Sequence, residues 1–467
     1  MYGYGYSYPN NPQGSGLMGR YEAGVRSDGG SFAFPIDTGL ASRLEGLGLL
    51  NASSLVNSCN AGKESVLYNL IPTPVQSLDR FAVTRSTVKW VLGANGVLTS
   101  IPANTPAFEY NSDGTYRGLL VEPAGTNLLV RSSEFNTTWG KSDITVTDNS
   151  IASPDGTVTA DTITEGTAGS AFLSQGATVA SGATVAGSIW LKAGSVNDFV
   201  RIAISQSGTF GNNVVTWFRF STGVLSGTAN SGTGTGATAS VQAFSDGWYR
   251  ITLSGAIPAV TAYIFSVNSA SASGSGTRVN NSVYYAWGAQ LETGSVATSY
   301  IPTVASTQTR TADSVTLTGA SSLIGQQEGT VYAEGFITNF AGATDSIFTI
   351  SDGTVNNRIE VNKRSPNTIA LERVSAIQSG ATTISSGALS TGLVRIAIAY
   401  KTGDTAIFIN GVQAGATSTA TFTMPTIGNL VLGANATAGT RFWNSNVRAL
   451  VLLPTRLPNA TLAALTA

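Results

Sequence analysis

Apolar and polar residues alternate along most of the chain, and this period of two is typical of β-strands with one buried face. The alternation is clearest in GSIWLKAG, VVTWFRFSTG and DGWYRITLSG in the middle of the sequence. Further strand-like runs, among them GTVYAEGFI, LVRIAIAY and TAIFINGV, follow at even spacing. Tight-turn pairs such as Asn95-Gly96 and Asn410-Gly411 punctuate the pattern. The sequence therefore predicts an all-β fold of two tandem antiparallel β-sandwiches.

The first 69 residues follow a different pattern. They begin with the Gly/Tyr/Pro-rich YGYGYSYPNNPQGSG, and Leu40, Leu44, Leu47 and Leu50 then recur at the three-to-four spacing of a helix. Such a segment buries little by itself, so we interpret residues 1–69 as a mostly irregular anchoring arm. The remaining predicted domains are a small β connector at 70–130, a first sandwich at 131–303 and a second sandwich at 304–467.

A tryptophan is followed two residues later by a cation on three of the predicted strands. The pairs are Trp190 with Lys192, Trp217 with Arg219, and Trp248 with Arg250. Because alternate residues of a strand face the same side, each tryptophan shares a face with its cation. The opposite face is predicted to be the core, and it carries Ile189, Leu191, Phe218, Phe220, Tyr249, Ile251 and Leu253. The six Trp and cation residues are therefore candidates for glycan binding or for a subunit interface.

The stretch YYAWGAQLE, residues 284–292, is interpreted as the strand that closes the first sandwich. By the same alternation, Trp287 and Leu291 are predicted to point into the core. Tyr284, Gln290 and Glu292 then remain as candidates for an outward surface, with the same two possible roles. Pro302 is expected to fix an extended exit from this sandwich.

Composition excludes several classes of function. Histidine is absent, which removes His-containing triads, imidazole zinc ligands and a His general base. Only 11% of residues are charged, the net charge is -1 and no dense Lys/Arg tract occurs, so nucleic acid is not an expected partner. No apolar run reaches the roughly 18–20 residues that span a bilayer, and no signal peptide is recognised. The single cysteine, Cys59, can form no intrachain disulfide, and no cofactor is expected.

Catalytic and metal-binding patterns are weak. A glycoside hydrolase needs two carboxylates about 5–9 Å apart, whereas Glu334 and Glu360 each stand alone on their predicted strands. Carboxylates from distant segments could still converge, but no catalytic residue is predicted. Asp-Gly recurs at 28–29, 113–114, 155–156, 246–247 and 352–353, and we interpret these pairs as tight turns. No Asp-x-Asp-x-Asp run accompanies them, so no metal site is predicted.

Three segments carry a resemblance to a known group of proteins. FEYNSDGTYRGLLVEPAGTNLLVRSSEF, DGWYRITLSG and WGAQLETGSVATSYIPT, within residues 108–312, resemble tail-fibre, head-spike and other minor structural proteins of tailed bacteriophages. This resemblance implies that the first sandwich is a jelly roll like those of carbohydrate-binding modules. RIAIAYKTGDTAIFINGVQAG and the terminal FWNSNVRALVLLPTRLPNATLAALTA look like a concanavalin A-like, laminin G-type lectin domain.

The resemblance implies a non-enzymatic fibre or spike of a virion that displays its sandwiches for attachment to host-surface polysaccharide. The N-terminal arm would bind other virion proteins of the capsid, the portal or neck, or the tail. By analogy a homotrimer is expected. The protein would be made in the host cytoplasm and act in the virion. Two alternatives remain, a purely architectural decoration protein and, less favoured by the carboxylate pattern, a capsule depolymerase.

Overall fold

The computed structural model describes residues 24–25, 31–32, 40, 43–44, 46–49, 66–69 and 81–467, apart from residues 168, 196, 341–343, 377–381 and 437–439. Within these ranges the structure is built almost entirely of β-strands that pair antiparallel in stacked sheets. The predicted all-β class and antiparallel sandwiches are confirmed. Most of the predicted arm, including Leu50 and Cys59, lies outside the described residues, so its anchoring role stays a prediction. No helix in the described ranges is both long and apolar enough to cross a bilayer.

Nine strands precede the first sandwich: β1 (Gly24–Val25), β2 (Ser31–Phe32), β3 (Val66–Asn69), β4 (Ala82–Thr84), β5 (Lys89–Leu92), β6 (Leu98–Ile101), β7 (Phe108–Tyr110), β8 (Tyr116–Val121) and β9 (Gly125–Asn127). The first sandwich comprises β10 (Gly140–Ser142), β11 (Ile144–Ile151), β12 (Ala160–Glu165), β13 (Phe172–Thr178), β14 (Val185–Ala193), β15 (Phe199–Gln206), β16 (Thr209–Arg219), β17 (Val224–Ser231), β18 (Thr235–Ala243), β19 (Trp248–Ala256), β20 (Ala262–Ala270) and β21 (Val283–Thr293). A single 3-10 turn, Ser245–Gly247, precedes β19.

The later strands are β22 (Gln308–Arg310), β23 (Ser314–Leu317), β24 (Glu328–Ile337), β25 (Asp345–Ser351), β26 (Arg358–Arg364), β27 (Thr368–Val374), β28 (Thr382–Ser385), β29 (Gly392–Lys401), β30 (Thr405–Ile409), β31 (Val412–Ser418), β32 (Asn429–Leu432) and β33 (Ser445–Leu453). One α-helix, α1 (Asn459–Thr466), follows them.

Two six-stranded sheets form the first sandwich. The Trp190 sheet has the order β11-β12-β21-β14-β19-β18, and the Trp217 sheet has the order β10-β13-β20-β15-β16-β17. The apolar residues that alternate along their strands meet between the sheets. Ile189, Phe218 and Ile251, which the alternation assigned to the core, are all fully buried there. The core faces of β14, β16 and β19 are therefore predicted correctly.

The second sandwich is built from chain segments that precede and follow the first sandwich in the sequence. Its seven-stranded sheet has the order β28-β27-β26-β25-β32-β23-β4, and its eight-stranded sheet contains β31-β30-β29-β24-β33-β8-β7 with β3 beside β33. Strands β4, β7 and β8 thus belong to the second sandwich, although they precede the first in the chain. The prediction of a separate connector at 70–130 is wrong in this respect, because Phe108 and Leu119 bury their side chains in the core of the second sandwich.

The outer face of the eight-stranded sheet is also apolar and is covered by short segments. Leu462 and Leu465 of α1 pack there, together with Leu40 and Leu44 from the predicted arm. All four leucines are buried. The described part of the helix-like leucine pattern therefore contacts this chain's own second sandwich.

A two-stranded stem connects the sandwiches, since β9 pairs with β22. Buried charges surround it. The Lys89 ammonium lies 2.9 Å from a Glu122 carboxylate oxygen and 2.6 Å from Asp313, and Arg85 lies 2.9 Å from Asp313. Burial alone would raise the pKa of Glu122, but Lys89 and Arg310 outweigh it and lower that pKa to about 2. This charge cluster fixes the junction between the sandwiches.

Candidate functional site

The outer face of the Trp190 sheet is covered by the chain itself. Trp190, Trp248 and Trp287 are only 1%, 2% and 3% exposed. The Trp190 ring centre lies 5.4 Å from that of Trp287 and 5.3 Å from that of Tyr300. Leu92 and Leu98 of the β5–β6 hairpin complete this apolar cluster. The face that the alternation placed away from the sandwich core is therefore a second core.

The polar atoms of this face are occupied within the chain. The Trp248 indole N–H donates to the Ala152 carbonyl at 3.1 Å. The Arg250 guanidinium lies 4.6 Å from the centre of the Trp190 ring and donates to the Thr298 carbonyl at 2.7 Å. The prediction that Trp190, Trp248 and Arg250 form an outward binding or subunit surface is wrong, because the β5–β6 hairpin and residues 298–301 cover them.

The third pair lies on the outer face of the Trp217 sheet. Trp217 is 7% exposed, and its indole N–H donates to the Ser275 carbonyl at 2.7 Å, so the loop after β20 covers much of the ring. Arg219 is exposed, but its Nε lies 2.6 Å from the Asp198 carboxylate and its guanidinium sits over the Phe199 ring. Trp217 therefore offers little ring surface to a sugar. Of this pair, only Arg219 lies on the surface as predicted.

A β-bulge at Gly288 explains why the faces of β21 were predicted incorrectly. Gly288 has φ +65°, and β21 carries one extra residue opposite β14 at this point. The extra residue reverses the alternation, so Tyr284 lies in the sandwich core and Trp287 packs against Trp190 on the outer face. A side chain at Gly288 would meet the Trp190 ring, since an added Cβ would lie 2.7 Å from it. Tyr284 is therefore not an outward residue.

Gln290 and Glu292 face outward from the sandwich core but are buried beneath residues 298–301. The Glu292 carboxylate accepts hydrogen bonds from the Thr298 backbone N–H at 2.7 Å and from its hydroxyl at 2.8 Å. The Gln290 side-chain carbonyl accepts from the Ile301 N–H at 2.8 Å. Burial raises the pKa of Glu292, against the opposing effect of these donors. Both side chains hold the cover in place, and the prediction that they form a binding surface is wrong.

An open cleft lies at the edge of this cover. It has a volume of about 330 Å³ and is lined by Ile151, Ala152, Lys192, Asp246 and Tyr285. Lys192 of β14 and Tyr285 of β21 are direct cross-strand partners on the outer face of the Trp190 sheet. Asp246 lies in the 3-10 turn before β19, where it adopts φ +57°. Of the predicted site residues, only Lys192 lines this cleft.

The three polar groups of the cleft are unpaired within the described part of the chain. Lys192, Asp246 and Tyr285 make no side-chain hydrogen bond or ion pair with any residue in the described ranges, and none of them is fully buried. Ile151 and Ala152 supply an apolar wall beside them. The cleft therefore combines an aromatic ring, a cation and a carboxylate that are all available to a ligand.

Sequence reasoning missed most of this cleft. Asp246 was noted only as half of a turn pair, and the positive φ of Asp246 and Gly247 confirms that interpretation. Tyr285 has the same strand parity as Trp287, and the structure places both on the outer face instead of the core predicted for Trp287. Ile151, Lys192 and Asp246 come together only because of the order of their strands in the sheet. The alternation of residues along a single strand does not reveal that order.

The carboxylates considered for catalysis are engaged in ion pairs. Glu334 is buried and lies 2.6 Å from the Arg43 guanidinium. Glu360 lies directly opposite Glu372 on the neighbouring strand. The prediction that Glu360 has no second carboxylate nearby is therefore wrong. Arg358 bridges the two, at 2.7 Å from Glu360 and 2.8 Å from Glu372. In the part of the chain that the structure describes, no group of three or more acidic or cysteine side chains could hold a metal ion.

Comparison with known proteins gives distant likenesses only. No protein-family model and no curated protein matches the chain. Among solved structures, the NanB sialidase of Streptococcus pneumoniae is 15% identical with a TM-score of 0.27, over 32% of this chain and 26% of the sialidase. The CBM40 of the Ruminococcus gnavus IT-sialidase, bound to α2,3-sialyllactose, is 17% identical with a TM-score of 0.27, over 30% of this chain and 84% of that module.

A third match is domain 4 of AbnA, a GH43 extracellular arabinanase of Geobacillus stearothermophilus, in complex with arabinotriose. It is 15% identical with a TM-score of 0.28, over 33% of this chain and 73% of that domain. The chain thus spans about a quarter of the sialidase and the larger part of the two smaller domains. Likenesses at this level assign neither a ligand nor an activity.

Proposed function

We propose that the first sandwich binds a glycan in the cleft lined by Lys192, Asp246 and Tyr285. The observation that carries this proposal is the convergence of three unpartnered polar groups on an open cleft with an apolar wall. Its volume, about 330 Å³, is at the lower end of the roughly 300–1,000 Å³ typical of small-ligand sites. A short stretch of a polysaccharide fits such a space better than a large ligand.

The cleft residues match the chemistry of a sugar. The Tyr285 ring and Ile151 can contact the apolar C–H face of a pyranose, as aromatic side chains do with such surfaces. Lys192 donates hydrogen bonds to hydroxyl or carboxylate oxygens, and Asp246 accepts them from hydroxyls. Because one group only donates and the other only accepts, the pair favours a ligand with several hydroxyls.

For the whole chain we propose a non-enzymatic fibre or spike of a bacteriophage virion that displays this sandwich for attachment to host-surface polysaccharide. The support is the resemblance of residues 108–312 to tail-fibre and head-spike proteins. In this proposal the N-terminal arm binds capsid, portal or neck, or tail proteins, the protein is a homotrimer, and it acts in the virion. Glu334 forms an ion pair with Arg43, and Glu360 and Glu372 both form ion pairs with Arg358. These contacts favour a structural role for the three carboxylates over a role in hydrolysis.

A purely architectural role is the second candidate. It is favoured by the buried charge cluster of Lys89, Glu122 and Asp313, which fixes the two sandwiches to one another. In that case the particle would lose stability without the protein, but host adsorption would not depend on the cleft.

The full chain and its variants should be tested on an array of bacterial surface polysaccharides. Lys192→Ala and Asp246→Asn should each weaken binding about ten- to hundredfold, because a hydrogen bond to a charged group contributes about 1.5–3 kcal/mol. Asparagine tolerates the positive φ of position 246. Lys401→Ala, which removes an exposed lysine from the second sandwich, is the matched control and should bind as the wild type does. Unchanged binding by both cleft variants, or no binding by the wild type, would reject the proposal.

A further inference from the structure

Arg201 occupies an unusual place on the outer face of the Trp217 sheet, on the opposite side of the sandwich from the cleft. It lies on β15 between two cross-strand partners, Trp217 of β16 and Asn268 of β20. The next row of the same face carries only short side chains there, since Ala203 is paired with Ser266. Arg201 therefore lies between a tryptophan on one neighbouring strand and an asparagine on the other.

The charge of Arg201 has no counterpart among the residues that the structure describes. Its side chain is partly buried and makes no hydrogen bond or ion pair with any described residue. Burial and, to a smaller extent, the positive charge of Arg278 together lower its pKa to about 10. The Arg278 guanidinium donates to the Ala171 and Gly276 carbonyls, and the nearby Glu165 carboxylate counteracts the lowering of its pKa by burial. The two cations thus repel each other, and Glu165 offsets the charge of Arg278 rather than that of Arg201.

The buried arginines of the junction show what is missing at this position. Arg85 lies 2.9 Å from the Asp313 carboxylate, and Arg310 lies 3.5 Å from Glu122. A buried cation is costly unless an anion offsets the loss of hydration, and in the junction the protein supplies that anion. At Arg201 an anion from outside would have the same effect.

We propose that Arg201 is the centre of a second ligand site, which binds an oxyanion carried by a polysaccharide. The planar guanidinium can donate two parallel hydrogen bonds to a carboxylate, sulfate or phosphate group. Trp217 lies beside it on the neighbouring strand, whereas the buried Asn268 on the other side donates its amide to the Ser269 carbonyl. This site is independent of the cleft at Lys192, because it lies on the other sheet.

Binding of three probes to the full chain tests this site: polygalacturonate, which carries carboxylates, dextran sulfate, and neutral dextran as the reference. The wild type should bind at least one anionic polymer more tightly than dextran, and Arg201→Met should weaken that binding at least tenfold. Binding of polygalacturonate alone identifies a carboxylate as the ligand group, whereas binding of both polymers identifies a general oxyanion site.

Arg219→Met is the matched control, because Arg219 is an exposed arginine on the same face that already pairs with Asp198. It should bind the anionic polymer as the wild type does. Arg201→Met should fold normally and melt no lower than the wild type, since it removes a cation without a partner. The proposal is rejected if the wild type does not distinguish the anionic polymers from dextran, or if Arg201→Met and Arg219→Met bind equally.

Discussion

The two outer faces of the first sandwich carry the same Trp-x-cation pattern but differ in what covers them. On the Trp190 sheet, the β5–β6 hairpin and residues 298–301 seal the tryptophans into a second core. On the Trp217 sheet, a single loop reaches Trp217, and Arg219 stays at the surface. The Trp-x-cation pattern therefore identifies neither a binding surface nor a core by itself, because the covering segments decide which of the two it becomes.

The cover of the Trp190 sheet is held by charged and polar contacts. Lys89 at the start of the hairpin pairs with Glu122. The same carboxylate accepts hydrogen bonds from the Ser299 backbone N–H at 2.7 Å and from its hydroxyl at 2.8 Å. One carboxylate therefore fixes both segments of the cover, which come from opposite sides of the first sandwich in the sequence.

The largest expected effect is on the sealed face. Trp190→Ala should lower the free energy of unfolding by about 3–5 kcal/mol, because it opens a large cavity beneath the hairpin. Trp217→Ala should cost less, since only one loop covers that ring. Chemical denaturation followed by tryptophan fluorescence and circular dichroism measures both.

Phe218→Ala provides the reference, because Phe218 is fully buried in the main core. Its loss should be similar to that of Trp190→Ala. If Trp190→Ala instead cost no more than Trp217→Ala, the two faces would not differ as described.

A smaller loss is expected when the cover loses its charged anchor. Glu122→Gln should destabilise the protein by about 2 kcal/mol, less than the roughly 3–5 kcal/mol of a fully orphaned buried charge, because Lys89 keeps Asp313. Proteolysis within residues 89–101 should also become faster in this variant, since the hairpin is released. Equal proteolysis of the variant and the wild type would show that packing alone holds the hairpin.

The smallest expected effect is a change in folding stability at low pH. The pKa of Glu122 falls from 4.5 to about 2 on folding, so its contribution to stability is complete above pH 4.5 and is lost as the pH falls toward 2. The stability difference between wild type and Glu122→Gln should therefore shrink over this range. Denaturation curves at several pH values measure it.

Glu292 should show the opposite dependence of stability on pH in the same experiment. Burial raises its pKa, so the charged form costs stability at neutral pH and that cost is relieved as the pH falls through the folded pKa. Relative to Glu292→Gln, the wild type should therefore gain stability on mild acidification. The same pH trend for both glutamates would contradict their different environments.

The sequence was sufficient for the strands and for the main core of the first sandwich. Ile189, Phe218 and Ile251 alternate regularly and are buried as expected. The alternation failed on β21 because Gly288 inserts an extra residue, and a period of two has no means of showing where it breaks. A glycine next to Trp287 was the only local signal of that bulge.

The functional faces were harder to predict because they depend on contacts between distant segments. The sealing of Trp190 requires Leu92, which lies about a hundred positions earlier in the chain. The unpaired state of Arg201 is likewise a property of its neighbours on three strands. Neither feature leaves a trace in the residues immediately around the tryptophans.

The nested order of the sandwiches has a consequence for how such a protein can change. The chain leaves the second sandwich through β9, forms the first sandwich and returns through β22. Strands β9 and β22 pair with each other, so the exit and the return lie side by side. Recombination at these two neighbouring points would exchange the whole first sandwich as a cassette and leave every strand of the second intact. An incoming cassette would need to retain a serine at the position of Ser299, because Glu122 of the recipient binds it. The stem thus allows the first and second sandwiches to diversify separately.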